Sequence, residues 1–253
     1  MHFNYKIPLM VPTYGDEEIN EVMNILRSKK VTMGQRVSLF EQKWAKYVGT
    51  RFALMVNSGS SANFLAHTVL THHTLNRRIK PGDEIITPAV TWPTTAFAII
   101  NIGAKPVFVD VDLDTFNMKT EDVENAISEK TSGITLVHLL GNPCDMDAIL
   151  SLAKNNDLLL IEDSCNAHGA EFKGRKCGSF GDLATFSYYF SHIISTIEGG
   201  MITTNNEEYY ELALSMRNFG WIRGLKKEGE LIDKYPFIDK RFLFANIGYN
   251  FRP

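Results

Sequence analysis

A short polar segment that follows an apolar run has the residue types of an anion-binding loop. The run RFALMV ends at Val56, and NSGSS at 57–61 follows it before a segment with helical spacing. Backbone N–H groups and hydroxyls at the start of a helix stabilise an anion, so this loop, with Gly59 and Ser60 at its centre, suits a phosphate. The same residues are typical of a plain serine N-cap followed by a glycine turn, and the loop alone favours that simpler interpretation.

A carboxylate stands at the end of the most uniformly apolar strand candidate. In LLLIEDSCNAHG, Asp163 follows a run of leucine and isoleucine, so it is expected to be buried. A buried carboxylate without a partner would cost several kcal/mol or become protonated, and a cation or a strong donor should therefore face it. A structural role, with a buried arginine or a helix N-terminus as that donor, and a ligand-binding role are both open. His168 in the same segment is expected to be a satisfied core histidine unless a site lies nearby.

A serine and a histidine stand five residues apart where a predicted strand runs into a loop. They are Ser187 and His192 in ATFSYYFSHIISTIEGG, and EGG at 198–200 predicts a tight turn before the next strand. Histidine is the side chain best suited to move a proton near pH 7. The alternative is that this histidine, beside isoleucines, is a packed or exposed bystander.

The fourth candidate for a ligand-binding loop is aromatic. Trp92, in TPAVTWPTTAF, follows another apolar run, and its ring could lie flat against a planar ligand or simply cover the core. All four loops come after apolar runs, and ligands of α/β proteins bind at the carboxyl ends of such strands.

Seven short apolar runs must position these loops. They lie at 53–56, 84–88, 106–111, 134–140, 158–163, 184–190 and 201–204, with helical spacing between them at 60–75, 120–130, 145–157 and 207–219. This alternation predicts an α/β fold with a mostly parallel seven-stranded sheet flanked by helices. Thr120 and Asp145 are predicted helix N-caps, and PGD at 81–83 predicts a turn before a strand.

The composition narrows the classes of partner. The 253 residues are 44% hydrophobic and 22% charged, which is typical of a globular chain. With a net charge of −3 there is no basic excess to neutralise phosphates, so nucleic acids and membrane surfaces are disfavoured as main partners. Cys144, Cys165 and Cys177 form no C-x-x-C pair, so neither a disulfide framework nor a metal site is predicted, and a reducing cytoplasm is the expected location. No secretion signal or membrane-spanning run is predicted.

Taken together, the four loops resemble the fold type I pyridoxal-phosphate enzymes, and within them the DegT/DnrJ/EryC1/StrS family of nucleotide-sugar aminotransferases. The resemblance runs from MVPTYGDEEI to the last residue and is carried by GSSAN, TWPTT, EDSCNAHGA, TFSYYFSHIISTIEGG and GYNFRP in the family's order. It implies the large, coenzyme-binding domain over residues 1–253, including an N-terminal arm over about 1–30. The smaller C-terminal domain that the family carries is expected to be missing from this chain.

The resemblance implies a role for each coenzyme-binding loop. Gly59 and Ser60 would bind the phosphate of pyridoxal 5'-phosphate (PLP) or pyridoxamine 5'-phosphate (PMP), and Ser187 would add its hydroxyl. Trp92 would stack on the coenzyme ring.

Three further positions follow from the same resemblance. Asp163 would pair with the pyridinium nitrogen, which supplies the cation that the buried carboxylate lacks. Asn166 stands where the family usually has glutamine, close to the ring hydroxyl. Asn250, in GYNFRP, would reach the phosphate bound by the neighbouring subunit of a homodimer.

One departure from the family pattern changes the implied chemistry. Aminotransferases of the family carry a lysine five residues after the serine of the anchoring loop, and here that position is His192. An imidazole cannot form the covalent bond to the coenzyme that a lysine amine forms, so the resemblance implies a non-covalently held PMP, as in the sugar 3-dehydratases of the family. His192 would then take a proton from the coenzyme's methylene carbon while a nucleotide-linked 4-keto-6-deoxy sugar loses its C3 hydroxyl, and glutamate would restore the amine.

Two other functions remain open from the sequence. The first is an aminotransferase that tolerates His192, in which the amino group stays on the product. The second is a non-catalytic fragment that binds coenzyme or sugar, because family members continue beyond GYNFRP. The apolar segment RFLFANIGYNFRP is accordingly expected to pack against a partner or to lead into further chain.

Overall fold

The computed structural model describes residues 11–253, and all seven apolar runs form strands of one sheet. The strands are β1 (Phe52–Val56), β2 (Glu84–Pro88), β3 (Lys105–Val109), β4 (Thr131–Val137), β5 (Leu159–Asp163), β6 (Glu171–Phe172), β7 (Arg175–Lys176), β8 (Leu183–Ser187) and β9 (Gly200–Thr204). The short strands β6 and β7 form a separate hairpin. The large sheet has the order β1-β9-β8-β5-β4-β2-β3, and within it β9 alone runs antiparallel to its neighbours. The predicted α/β fold with a mostly parallel seven-stranded sheet is therefore confirmed.

Helices connect most of these strands. The described residues form α1 (Asp16–Ser28), α2 (Gln35–Val48), α3 (Gly59–Val69), α4 (Pro93–Asn101), α5 (Thr120–Ala126), α6 (Met146–Asn155), α7 (Glu207–Met216) and α8 (Glu228–Lys234), with 3-10 turns at Leu139–Gly141 and Lys240–Phe242. Asp145 caps α6 as predicted, because its carboxylate accepts a bond from the Ala148 N–H. The prediction that Thr120 caps α5 is wrong. Thr120 is already helical, and the backbone before it is still extended at Lys119, whose N–H bonds the Asp110 carbonyl at 3.3 Å.

Three strands end earlier than their apolar runs predicted. β3 stops at Val109, two residues before the end of its run. β4 stops at Val137, and Leu139–Gly141 turns away as a 3-10 helix. β8 stops at Ser187 because Ser187 pairs with Gly200, the first residue of β9. Residues 188–199 therefore have no strand to pair with, and they form a loop.

Helices pack on both faces of the sheet, which explains why its central strands are apolar on both sides. One core, around Ile161, lies beneath α3 and α7, and a second, around Leu160, lies beneath α5 and α6. Successive side chains of a strand point to opposite faces. Asp163 therefore shares the α3 side with Ile161, whereas Glu162 lies on the other side with Leu160.

The apolar C-terminal segment packs in part against the chain's own α3. The rings of Tyr249 and Phe251 have their centroids 5.1 and 6.0 Å from that of Phe64. The Phe251 carbonyl also accepts a bond from the Asn57 N–H at 3.0 Å. We expected a partner or further chain to pack against this segment, but for these two rings α3 of the same chain does so. Ile247 in the same segment is exposed.

The predicted N-terminal arm is described only in part, since residues 1–10 lie outside the described residues. Within the arm, α1 buries none of its residues. Across residues 11–253, no helix is both long enough and apolar enough to cross a membrane. In the same range, no cluster of three or more His, Cys, Asp or Glu side chains is arranged to hold a metal ion.

Candidate active site

The carboxyl ends of the parallel strands surround a cavity of about 360 Å³. Loops that follow β1, β2, β4, β5 and β8 line it, as the strand order leads one to expect. Seven of the eight predicted site residues are among its lining: Gly59, Ser60, Trp92, Asp163, Asn166, Ser187 and His192. A larger cavity, about 670 Å³, lies at the opposite edge of the sheet among Arg51, Arg77 and Asp182, and none of the predicted residues lines it.

Asp163 is buried at the floor of this cavity, and neutral groups satisfy its carboxylate. Its Oδ2 accepts bonds from Asn63 Nδ2 at 3.0 Å and from Thr95 Oγ1 at 2.8 Å, and its Oδ1 accepts a bond from the Cys165 N–H at 3.2 Å. From the sequence, a buried arginine and a helix N-terminus were both possible donors to this carboxylate. No arginine, lysine or helix N-terminus within residues 11–253 donates to Asp163, so neither of these two expected donors is the one present.

The two side chains that hold Asp163 were missed from the sequence. Asn63 lies one turn after Gly59 on α3, and Thr95 lies in the first turn of α4. A second set of bonds fixes them: Thr185 Oγ1 donates to Asn63 Oδ1 at 3.0 Å, and Thr91 Oγ1 donates to Thr95 Oγ1 at 2.9 Å. Asn63 and Thr95 are the last residues of GSSAN and TWPTT, two segments that the sequence had already marked as candidate binding loops. The sequence did not show that both side chains face the same carboxylate.

The start of α3 opens into the cavity beside the end of β8. Ser58 is the N-cap, and its Oγ accepts a bond from the Ser61 N–H at 3.0 Å, so the N-cap interpretation of this loop holds for Ser58. Gly59 approaches Ser187 so closely that a Cβ built on Gly59 would lie 2.5 Å from the Ser187 Cβ. The first N–H groups of a helix have no partner within the helix. The cavity wall therefore combines an N-terminal helix end with the hydroxyls of Ser60 and Ser187.

His192 lies in the 188–199 loop, with its imidazole half-buried at the cavity wall. Its backbone N–H bonds the Tyr189 carbonyl at 2.9 Å, which closes a turn after β8. Burial lowers the pKa of the His192 imidazole below its usual 6.5, and the negative charge of Asp163 partly opposes this. The imidazole is therefore neutral at pH 7, and a neutral imidazole has one nitrogen able to accept a proton.

The remaining predicted residues differ in their surroundings. Trp92 is the N-cap residue of α4, and its side chain is 72% exposed at the cavity mouth. Asn166 lines the cavity from within the turn that the bond from the Ala167 N–H to the Ser164 carbonyl closes. Asn250 does not line it: its backbone forms a bridge with Asn218, and its Oδ1 accepts a bond from Arg252 Nε at 2.9 Å.

Sequence and structure comparisons identify similar proteins. The model of the DegT/DnrJ/EryC1/StrS aminotransferase family matches residues 12–252. GDP-4-keto-6-deoxy-D-mannose 3-dehydratase of Yersinia pseudotuberculosis is 40% identical over 249 residues, which cover 97% of this chain and 63% of that protein. The chain therefore spans less than two thirds of the length of this relative.

Solved structures give the same result. The Escherichia coli GDP-4-keto-6-deoxy-D-mannose-3-dehydratase with bound hydrated PLP matches with a TM-score of 0.91 and 40% identity, covering 97% of this chain and 64% of that one. A structure of GDP-4-keto-6-deoxymannose-3-dehydratase with a trapped PLP-glutamate geminal diamine also matches with a TM-score of 0.91, at 39% identity over 98% of this chain and 64% of that one.

Proposed function

The chain belongs to the DegT/DnrJ/EryC1/StrS aminotransferase family, and from this membership and its cavity we propose that the protein is a PLP/PMP-dependent sugar 3-dehydratase. The proposed substrate is a nucleotide-linked 4-keto-6-deoxyhexose such as GDP-4-keto-6-deoxy-D-mannose, which loses its C3 hydroxyl on the way to a deoxysugar of the O-antigen type. Similar proteins that are named for this reaction support the proposal. Since the chain covers 63% of such a relative, the activity is proposed for the whole protein.

The shape and polarity of the cavity fit a planar ring that carries a phosphate. Because Gly59 has no side chain, Ser187 packs directly against the start of α3, which places the Ser187 hydroxyl beside the first N–H groups of the helix, where an anion is favoured. Ser60 and Ser187 would donate their hydroxyls to the phosphate there, as the helix dipole favours. Trp92 presents an exposed ring that would pack on the coenzyme ring, and Asn166 would lie beside the ring hydroxyl.

Asp163 would hold the proton on the pyridine nitrogen. When bound, PMP supplies an amine that condenses with a ketone and a protonated ring that accepts an electron pair. A buried carboxylate favours the protonated form of a nearby ring nitrogen. The bonds from Asn63 and Thr95 orient the Asp163 carboxylate, so its charge is held in place at the cavity floor.

The observation that carries the proposal is that His192 lines the cavity while no lysine does so among the described residues. A lysine amine would attach the coenzyme covalently. An imidazole cannot do so, and it therefore leaves the amine of PMP free to react with the sugar. The neutral His192 nitrogen accepts a proton, and the imidazolium that results returns it to the departing C3 hydroxyl. One histidine therefore serves first as a base and then as an acid.

The proposed reaction also defines the co-substrate and the products. One glutamate and one 4-keto sugar give one 2-oxoglutarate, one ammonia and one 3-deoxy-4-keto sugar, so the two electrons that reduce C3 come from glutamate. The relative with a PLP-glutamate adduct supports glutamate as the amine donor. Three cysteines without a disulfide, of which Cys144 and Cys177 are buried, agree with the proposed cytoplasmic location.

We also infer that the protein is a homodimer. Large apolar side chains at the cavity mouth and in the adjacent segments are exposed, including Trp92, Phe97, Leu140 and Ile193. Exposed apolar groups of this size are typical of surfaces that a partner covers. Asn250 lies outside this chain's own cavity, which is compatible with its proposed role at the phosphate of the second subunit.

Product analysis tests the proposed function. The protein is incubated with PMP, glutamate and GDP-4-keto-6-deoxy-D-mannose, and we expect 2-oxoglutarate, ammonia and a 3-deoxy sugar in equal amounts. A stable amino sugar would instead assign the protein to the aminotransferases. Coenzyme binding without any turnover would instead indicate a non-catalytic fragment that binds the coenzyme.

The variant His192→Lys tests the position of residue 192 without relying on turnover. With PLP and borohydride, the variant should gain a covalent adduct that mass spectrometry assigns to residue 192, whereas the unaltered protein should not. If peptide mapping finds no adduct at residue 192, that side chain does not face the coenzyme aldehyde.

A further inference from the structure

A second histidine lies behind His192, and neither of its ring nitrogens has a partner among residues 11–253. His168 is buried, 9% exposed, and its ring centroid lies 5.5 Å from that of Trp44, 5.6 Å from Phe186 and 5.4 Å from Tyr188. The sequence led us to expect a satisfied core histidine. That expectation held only if no site lay nearby, and His192 of the candidate site does lie nearby. His168 is buried as expected, but neither its Nδ1 nor its Nε2 forms a hydrogen bond within residues 11–253. Buried polar groups without partners are rare, so this imidazole needs an explanation.

The ring centroid of His192 lies 6.2 Å from that of His168. An N–H···N bond of about 2.9 Å between two imidazoles places their centroids roughly 5 Å apart, so a small rotation of one ring closes the remaining gap. His192 is the ring that can rotate, because it is half-buried on a loop and its side chain makes no hydrogen bond to any described residue.

The surroundings of His168 hold it still. Trp44 comes from α2, and Phe186 and Tyr188 come from β8 and the residue after it, so the ring is enclosed from two sides. The turn that follows is also fixed. A Cβ on Gly169, whose φ is +84°, would lie 2.6 Å from the Tyr47 hydroxyl, so this turn packs directly against the end of a side chain from α2. A rigid group of this kind can orient a mobile one.

We propose that His168 is a positioning residue for His192: its neutral imidazole accepts a hydrogen bond from a ring N–H of His192 and thereby turns the other His192 nitrogen towards the cavity. No proton is transferred between the rings, and no electrons move. The inference rests on the proposed function only for the statement that His192 is the base. Bases in active sites are commonly oriented through their second nitrogen in this way.

The charges around the pair agree with this division of roles. Burial, with a further contribution from the nearby His192, lowers the pKa of His168 to about 4, although the Ser187 carbonyl partly opposes both. His168 is therefore neutral at pH 7 and keeps an acceptor nitrogen. The other polar groups against these rings are less suitable. As an acceptor for a ring N–H of His192, Trp44 Nε1 is excluded because it only donates, and Asp163 already accepts from three donors. The Tyr188 hydroxyl, which has no partner among the described residues, packs against His168.

Nitrogen-15 NMR of the histidine rings in the protein without added coenzyme tests the bond directly. In the unaltered protein we expect one dominant His192 tautomer. His168→Phe retains a ring of similar size but has no acceptor, so it should give a mixture of His192 tautomers and a lower His192 pKa. His168→Gln retains an acceptor and should restore the single tautomer. The signals of His67, a buried histidine elsewhere, serve as the internal control.

The same variants give a kinetic readout that a purely structural role would not produce. With coenzyme, sugar and glutamate, His168→Phe should lower kcat by roughly tenfold with little change in KM, and His168→Gln should recover most of that loss. If the NMR result holds but no 3-deoxy sugar forms in any variant, the proposed function fails and the His168–His192 bond stands.

A His192 tautomer and pKa that are unchanged in His168→Phe would overturn the inference. If His168→Phe does not fold, His192→Ala decides the question, because it alters a loop residue and leaves the aromatic packing in place. The effect of His192→Ala is measured on the nitrogen-15 chemical shifts of His168, which should change when the hydrogen-bond donor is removed. Unshifted His168 signals would overturn the inference as well.

Discussion

Replacing Gly59 with alanine should separate the start of α3 from the end of β8, and the cavity depends on that junction. The new Cβ would lie 2.5 Å from the Ser187 Cβ and 2.9 Å from its Oγ. Ordinary contacts between carbon atoms are about 3.5–4.0 Å long, so the two segments must move apart by about 1 Å. Overpacking of this kind costs about 1–3 kcal/mol, and the better helix propensity of alanine returns at most about 1 kcal/mol.

The expected result is a loss of roughly 1–2 kcal/mol in the free energy of unfolding, together with at least about tenfold weaker PMP binding. Urea denaturation measures the first quantity, and a PMP titration followed by tryptophan fluorescence measures the second. Gly34→Ala is the matched control. Gly34 also stands at the start of a helix, α2, but the nearest atom to its added Cβ would be the Thr32 carbonyl oxygen at 3.7 Å.

A double variant separates steric overlap from other effects. Ser187→Gly removes the two atoms nearest to the new Cβ and leaves the Ser187 Cα at 3.2 Å, so adding it to Gly59→Ala should recover part of the lost stability, which two independent changes would not do. The reasoning is refuted if Gly59→Ala unfolds at the same urea concentration and binds PMP as tightly as Gly34→Ala.

Two further perturbations address the groups around Asp163. Thr95→Val keeps the shape of the side chain but removes the bond to Asp163 Oδ2; we expect about 1.5–3 kcal/mol of destabilisation in urea, and an effect below about 0.5 kcal/mol would show that the bond is unimportant. Burial lowers the pKa of His67 to about 4, although the Asn63 carbonyl and the Asp163 charge oppose it, while the unfolded chain retains a value near 6.5. Between pH 4 and pH 6.5 the unfolded state binds more protons than the folded state does. The free energy of unfolding should therefore fall by about 3 kcal/mol as the pH drops from 6.5 to 4. His67→Gln should remove this part of the pH dependence, and an unchanged slope in that variant would contradict the assignment.

The strand ends and helix caps show where local patterns were insufficient. The apolar run at 184–190 predicted a strand through Phe190, but β8 ends where its partner β9 begins, and an apolar run alone does not show where the next strand pairs with it. The cap of α5 was misassigned at Thr120 for a similar reason. A bond from Lys119 to Asp110, in the preceding segment, keeps the backbone extended for one more residue.

The sequence by itself determined the α/β fold and the neighbourhood of Ser60, Asp163 and His192. Alternating apolar runs and helical segments require parallel strands, and parallel strands bring their following loops to one edge of the sheet. Only the tertiary structure decided which groups satisfy Asp163, and that His168 lies unpaired beside His192. Those contacts depend on how α2, α3 and α4 pack on the sheet and on the side to which each strand residue points. They join residues distant in the sequence at distances of a few ångströms, which no local pattern of residue types specifies.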